Sequence, residues 1–67
     1  MRPLMELLEE ERNTIQRLES IYLYLTRADN PEWFDYLYAK RNVLENDLEA
    51  IRAELKEYIE NLLYKES

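Results

Sequence analysis

Apolar residues in the first part of the chain recur at Leu4, Leu8, Ile15, Leu18, Tyr22 and Leu25. The spacing alternates between three and four, with one polar slot at Glu11. That is the stripe of an amphipathic helix with a coiled-coil-like seam. A second stripe begins after residue 31 and runs through Phe34, Leu37, Leu44, Leu48, Ile51, Leu55, Tyr58 and Leu62, with Arg41 in its one polar slot. Arg41 on a seam is expected to snorkel or to meet Glu11 or Glu45. The two stripes predict one helix over about 3–27 and a second over about 31–64.

Between them stands Arg27-Ala28-Asp29-Asn30-Pro31-Glu32. Asn30 reads as an N-cap, its side-chain oxygen accepting from the first free N–H groups of the next helix. Pro31 fits the first helical position and also pushes Asn30 out of the α region, which ends the preceding helix. A turn at 28–30 therefore folds helix two back on helix one. The alternative is a single helix kinked at Pro31, which the capping residue ahead of the proline disfavours. A strict fold-back sets Leu25 near Phe34, Leu18 near residues 40–41 and Leu4 near Leu55. Pro3 suits the first turn of helix one.

Composition narrows the fold class to all-α. The 67 residues contain no glycine, which β-hairpin turns and other positive-φ positions use most. They also contain no cysteine and no histidine. Disulfides are excluded and the usual zinc and haem ligands are missing. A chain of this size buries only about 60% of the surface its unfolded form exposes. Oligomerisation is the remaining route to a larger core.

At about 1.5 Å per residue, helix one spans roughly 37 Å and helix two roughly 50 Å. Two surfaces are then more than a two-helix unit can bury. The first is the turn end, where Tyr22, Tyr24, Trp33, Phe34, Tyr36 and Tyr38 hold six of the eight aromatic residues. The second is the overhanging tail of helix two, with Tyr58, Ile59, Leu62, Leu63 and Tyr64. Aromatic anchors of this type mark protein interfaces. Laying two hairpins side by side and antiparallel brings each turn end to the other's tail, as a homodimeric four-helix bundle. Tyr22, Tyr24, Trp33, Tyr36, Tyr38, Tyr58, Ile59, Leu62, Leu63 and Tyr64 are the candidate interface residues.

Charge weighs against some partners. The net charge is −6, and residues 29–67 carry ten acidic against five basic side chains. Nucleic-acid backbones and anionic membrane surfaces select clustered Lys and Arg, so neither is an expected partner. No apolar run reaches the roughly 18 residues of a membrane span. No secretory-type apolar segment follows Met1, and the reading is a cytoplasmic protein.

Candidate chemistry is sparse. Glu45 and Glu49, or Glu9, Glu10 and Glu11, lack the histidines of carboxylate metal sites in bundles and the spacing of a calcium loop. They fit solvated helix faces with local pairs such as Glu9–Arg12, Arg41–Glu45, Glu49–Arg52 and Lys56–Glu60. Ser20 and Ser67 have no activating base. Arg12, Arg17, Lys40, Arg41 and Arg52 could hold an anion between helices, but two helices offer little concavity for a small-molecule substrate. No catalytic, metal or cofactor site is expected. The expectation is a non-enzymatic, self-associating adaptor or regulator that binds and modulates a larger protein. One alternative is an acidic mimic of DNA using Asp35, Asp47, Glu49, Glu54, Glu57 and Glu60. Another is a structural coiled-coil subunit of a larger assembly.

Overall fold

The computed structural model describes residues 2–66, with side chains through Tyr64. Two helices, α1 (Leu4–Arg27) and α2 (Pro31–Glu66), form an antiparallel hairpin. The Cα atoms span 54 × 16 × 15 Å. The long dimension equals the length of α2 alone, about 54 Å at 1.5 Å per residue.

The turn forms as the sequence predicts. Asn30 Oδ1 accepts from the N–H groups of Glu32 (2.8 Å) and Trp33 (3.4 Å), and its carbonyl accepts from Phe34 at 2.9 Å. Residues 28–30 are not helical, so the chain is not one kinked helix. At the end of α1, the Thr26 hydroxyl donates to the Leu23 carbonyl at 2.6 Å, one turn back along the helix. Pro3 stands one position before its expected place: it is the N-cap of α1, with ψ 145, and its carbonyl accepts from Leu7.

The α2 seam follows the sequence stripe. Leu37, Ile51 and Leu55 are buried, and Arg41, Leu44, Leu48 and Tyr58 are half-buried. The α1 seam differs. It runs through Leu4, Leu7, Glu11, Thr14, Leu18, Ile21 and Leu25, with Leu7 fully buried, while Leu8 and Tyr22 are exposed. Leu7 and Leu8 are equal candidates by hydropathy, and Ile15 outranks Thr14. The two readings share Leu4, Glu11, Leu18 and Leu25 and differ in which neighbouring strip completes the seam. Leu7 is chosen in three dimensions, where it packs with Ile51 and Leu55, flanked by Leu4 and Tyr58.

The pairing level also shifts. Leu18 shares a groove with Glu45 and Leu48 rather than meeting residues 40–41, and Tyr22 reaches Glu45. The cause is the linker. Ala28 is extended, with φ −71 and ψ 120, so the chain runs past the end of α1 before α2 turns back. The first turn of α2 therefore overhangs, which leaves Phe34 exposed although it lies on the seam. At the other end Leu4 and Tyr58 join the same cluster, so the overhang begins just after Tyr58.

Candidate protein interface

Five apolar side chains are buried among the described residues, while fourteen large apolar or aromatic ones stay exposed. Burying a large apolar side chain stabilises by about 1.5–3 kcal/mol. The exposed set is therefore a substantial reservoir of hydrophobic free energy that the hairpin does not use.

That reservoir is unevenly placed. The seam has two flanks. On one, Arg2 clasps Glu10 at 2.5 Å and Glu54 at 2.9 Å. Asn13, Arg17, Asp47 and Ala50 line the same groove with Arg2 and Glu10. The Arg2 guanidinium is held above its ordinary pKa, first by the hydrogen bond to Glu54 and then by that to Glu10. We call this the Arg17 flank.

The opposite flank is the Ile15 flank. From α1 it presents Leu8, Ile15 and Tyr22, each seven residues from the next and so on one helical strip, with Met5 beside Leu8. From α2 it presents Glu45, Glu49 and Arg52 in one groove with Tyr22. The Tyr22 hydroxyl donates to Glu45 Oε1 at 2.6 Å. That bond raises the Tyr22 pKa above its ordinary 10.0, with desolvation acting in the same direction. Arg52 Nε reaches across to Glu11 at 3.2 Å, in place of the local Glu49–Arg52 pair.

The aromatic turn end divides along the same line. Trp33 stacks on Tyr36 with centroids 5.6 Å apart and meets Tyr24 edge-on at 6.5 Å. Tyr24 continues the strip of Glu10 and Arg17, and Trp33 that of Asp47 and Glu54, so this trio caps the Arg17 flank. Phe34 stacks on Tyr38 at 6.1 Å, and the Arg41 guanidinium lies 4.1 Å from the Tyr38 ring centroid. Tyr38 lies on the strip of Glu45 and Arg52, so this second group caps the Ile15 flank. Arg41 Nε stands 3.9 Å from Glu45 and its terminal nitrogen donates to Asn42 at 3.3 Å. Of the two acids expected near Arg41, the nearby one is Glu45.

The remaining candidate residues form the tail. Ile59, Leu62, Leu63 and Tyr64 are exposed. Tyr58 is not part of that tail, because it packs on the Leu7–Ile51–Leu55 cluster. Exposed Met5 and Leu8 and half-buried Ile15 join the surface candidates, because the α1 seam runs through Leu7 and Thr14 instead of Leu8 and Ile15. The acidic residues do not form one row: Glu54 lies on the Arg17 flank with Arg2, and Glu49 on the Ile15 flank. No helix among the described residues is long and apolar enough to cross a membrane. Comparison with family models, with curated proteins and with solved structures returns no match.

Proposed function

We propose that this chain is a non-enzymatic protein-interaction module, a self-associating helical hairpin that captures a larger protein through its turn end. The observation that supports this most is the stacked Tyr24–Trp33–Tyr36 trio, in which Trp33 is 45% exposed despite two aromatic neighbours. The trio is held in place before any partner arrives, so binding costs little side-chain entropy. Trp and Tyr in such a setting are the residue types that carry most interface energy. The hairpin supplies a rigid platform, since Asn30 caps α2 three residues before Trp33.

The test has two steps. A photoreactive residue placed at Phe34 or Lys40, beside the trio, is cross-linked in the native cell and the captured protein is identified. That protein is then purified and titrated with the intact chain. Trp33→Ala with Tyr36→Ala is expected to weaken binding at least about a hundredfold, the scale of one to two hot-spot residues, while helicity is unchanged. Equal binding by wild type and double variant contradicts the proposal. Binding that instead collapses with salt and with Asp47→Asn and Glu54→Gln supports acidic mimicry of nucleic acid.

A further inference from the structure

We infer that α1 is the seam of a symmetric dimer, in which a second copy of the chain packs antiparallel along the strip Leu8, Arg12, Ile15, Glu19 and Tyr22, with the two-fold axis beside Ile15. This rests on the self-association in the proposed function and adds a geometry to it.

The first support is the width of the apolar face. A two-helix seam needs two apolar strips per helix, and α1 supplies them with Leu4, Leu18 and Leu25 and with Leu7, Thr14 and Ile21. Leu8, Ile15 and Tyr22 form a third strip. Three apolar positions in seven is the pattern of a core-facing helix in a bundle, wider than the two strips that one partner helix covers.

The second support is the order of charges on that strip. Ile15 lies at the middle of α1 (Leu4–Arg27). One turn towards the N-terminus stands Arg12, and one turn towards the C-terminus stands Glu19. Two turns away on either side stand Leu8 and Tyr22. The strip is thus apolar, basic, apolar, acidic, apolar. In a two-fold contact residue i meets j and j meets i. The antiparallel arrangement sets Arg12 against the second copy's Glu19, twice, Leu8 against its Tyr22, twice, and Ile15 against its own counterpart. A parallel arrangement sets Arg12 on Arg12 and Glu19 on Glu19, which like-charge repulsion opposes.

The third support is that these charges are not used within the hairpin. Among the described residues Arg2, Arg41 and Arg52 form ion pairs inside the chain, and Arg12 and Glu19 do not. On α2, Glu45 and Glu49 fall near the level of the axis, so the two copies meet on α1 rather than on α2. An axis at the middle of α1 also carries each turn end to the level of the other copy's tail.

A charge exchange on the full-length chain tests the geometry by sedimentation, with circular dichroism as the control for folding. The wild type is expected to sediment as a dimer. Arg12→Glu and Glu19→Arg are each expected to raise the dimer dissociation constant on the order of tenfold, because each turns two attractive pairs into two repulsive ones. The double variant Arg12→Glu/Glu19→Arg is expected to return to the wild-type value. A wild-type dimer that neither single reversal weakens, or that the double variant fails to restore, overturns this geometry and leaves self-association standing. A folded monomer at micromolar concentration overturns both.

Discussion

The two flanks of the hairpin share one seam and one helical period, yet they present different surfaces. On the Arg17 flank, Arg2 bridges α1 and α2 through Glu10 and Glu54 over a groove lined by the polar Asn13, Arg17 and Asp47. On the Ile15 flank, Leu8 and Tyr22 stay exposed, Met5 beside them is 76% exposed, and Arg12 and Glu19 form no ion pair within the hairpin. A flank lined mainly by polar groups and closed by an ion-paired arginine gains less from an apolar partner. A flank with an apolar strip at Leu8, Ile15 and Tyr22, and with Arg12 and Glu19 placed evenly about its middle, gains from apolar burial and from charge pairing at once. Two faces of one small unit can therefore be given different partners by a change of residue at positions seven apart.

The comparison can be broken most severely at the seam on which both flanks depend. Leu7 is fully buried between the helices. Leu7→Ala is expected to cost about 2–5 kcal/mol, seen as a large fall in the thermal midpoint followed by circular dichroism. Both flanks are lost together in that variant. The next effect separates the flanks. Ile15→Glu places a charge on the proposed axis in both copies and is expected to abolish dimer sedimentation at micromolar concentration, whereas Arg17→Glu on the other flank leaves it intact. Equal effects from the two substitutions would remove the distinction between the flanks.

Loss of the turn cap is smaller and falls on both flanks alike. Asn30→Ala removes the acceptor of the Glu32 and Trp33 N–H groups and is expected to cost about 1 kcal/mol. Thermal unfolding measures it, with the sedimentation contrast between the flanks unchanged. The smallest effects are at exposed polar contacts. Arg2→Ala is expected to lower the midpoint slightly in dilute buffer and not at all in high salt, since its pairs are solvent-facing. Tyr22→Phe is expected to show a pH signature. The Tyr22 pKa is raised in the folded chain by its bond to Glu45, so the proton is held more tightly there than in the unfolded chain. The stabilisation is present in full below pH about 10 and is lost as pH rises through the raised value. The difference in midpoint between wild type and Tyr22→Phe should therefore shrink above pH 10.

Legibility in the sequence followed locality. The turn was readable because Asn30 and Pro31 act on their immediate neighbours, and the end of α1 and the start of α2 came with it. The α2 seam was readable because the strips beside Leu37, Leu44, Leu48, Ile51 and Leu55 are interrupted by charges, at Glu45 and Arg52 on one side and at Lys40, Asp47 and Glu54 on the other. The α1 seam was not, because Leu7 and Leu8 are the same residue type, and Thr14 weakens the Leu7 strip while Ile15 strengthens the Leu8 strip beside it. Helix period determines the strips but not which of two adjacent strips faces the partner helix. The extended linker at Ala28 moved the pairing level, and that displacement left Tyr58 packed in the hairpin cluster. The aromatic turn end was legible as a cluster by sequence proximity. Its division into a Tyr24–Trp33–Tyr36 trio and a Phe34–Tyr38–Arg41 group depends on which flank each strip occupies, and that needs both helices in place.

In the proposed dimer, copies of this chain meet on the Ile15 flank and not on the Arg17 flank. The chain contains no cysteine, so a single introduced thiol reports its own surroundings. Ile15→Cys and Asn13→Cys are oxidised side by side under non-denaturing conditions, and the disulfide-linked fraction is read on a denaturing gel. Ile15→Cys is expected to link into a covalent dimer rapidly and nearly completely, because each thiol faces its counterpart across the proposed two-fold axis, while Asn13→Cys stays monomeric. Equal linkage of the two, or faster linkage through Asn13→Cys, would contradict it.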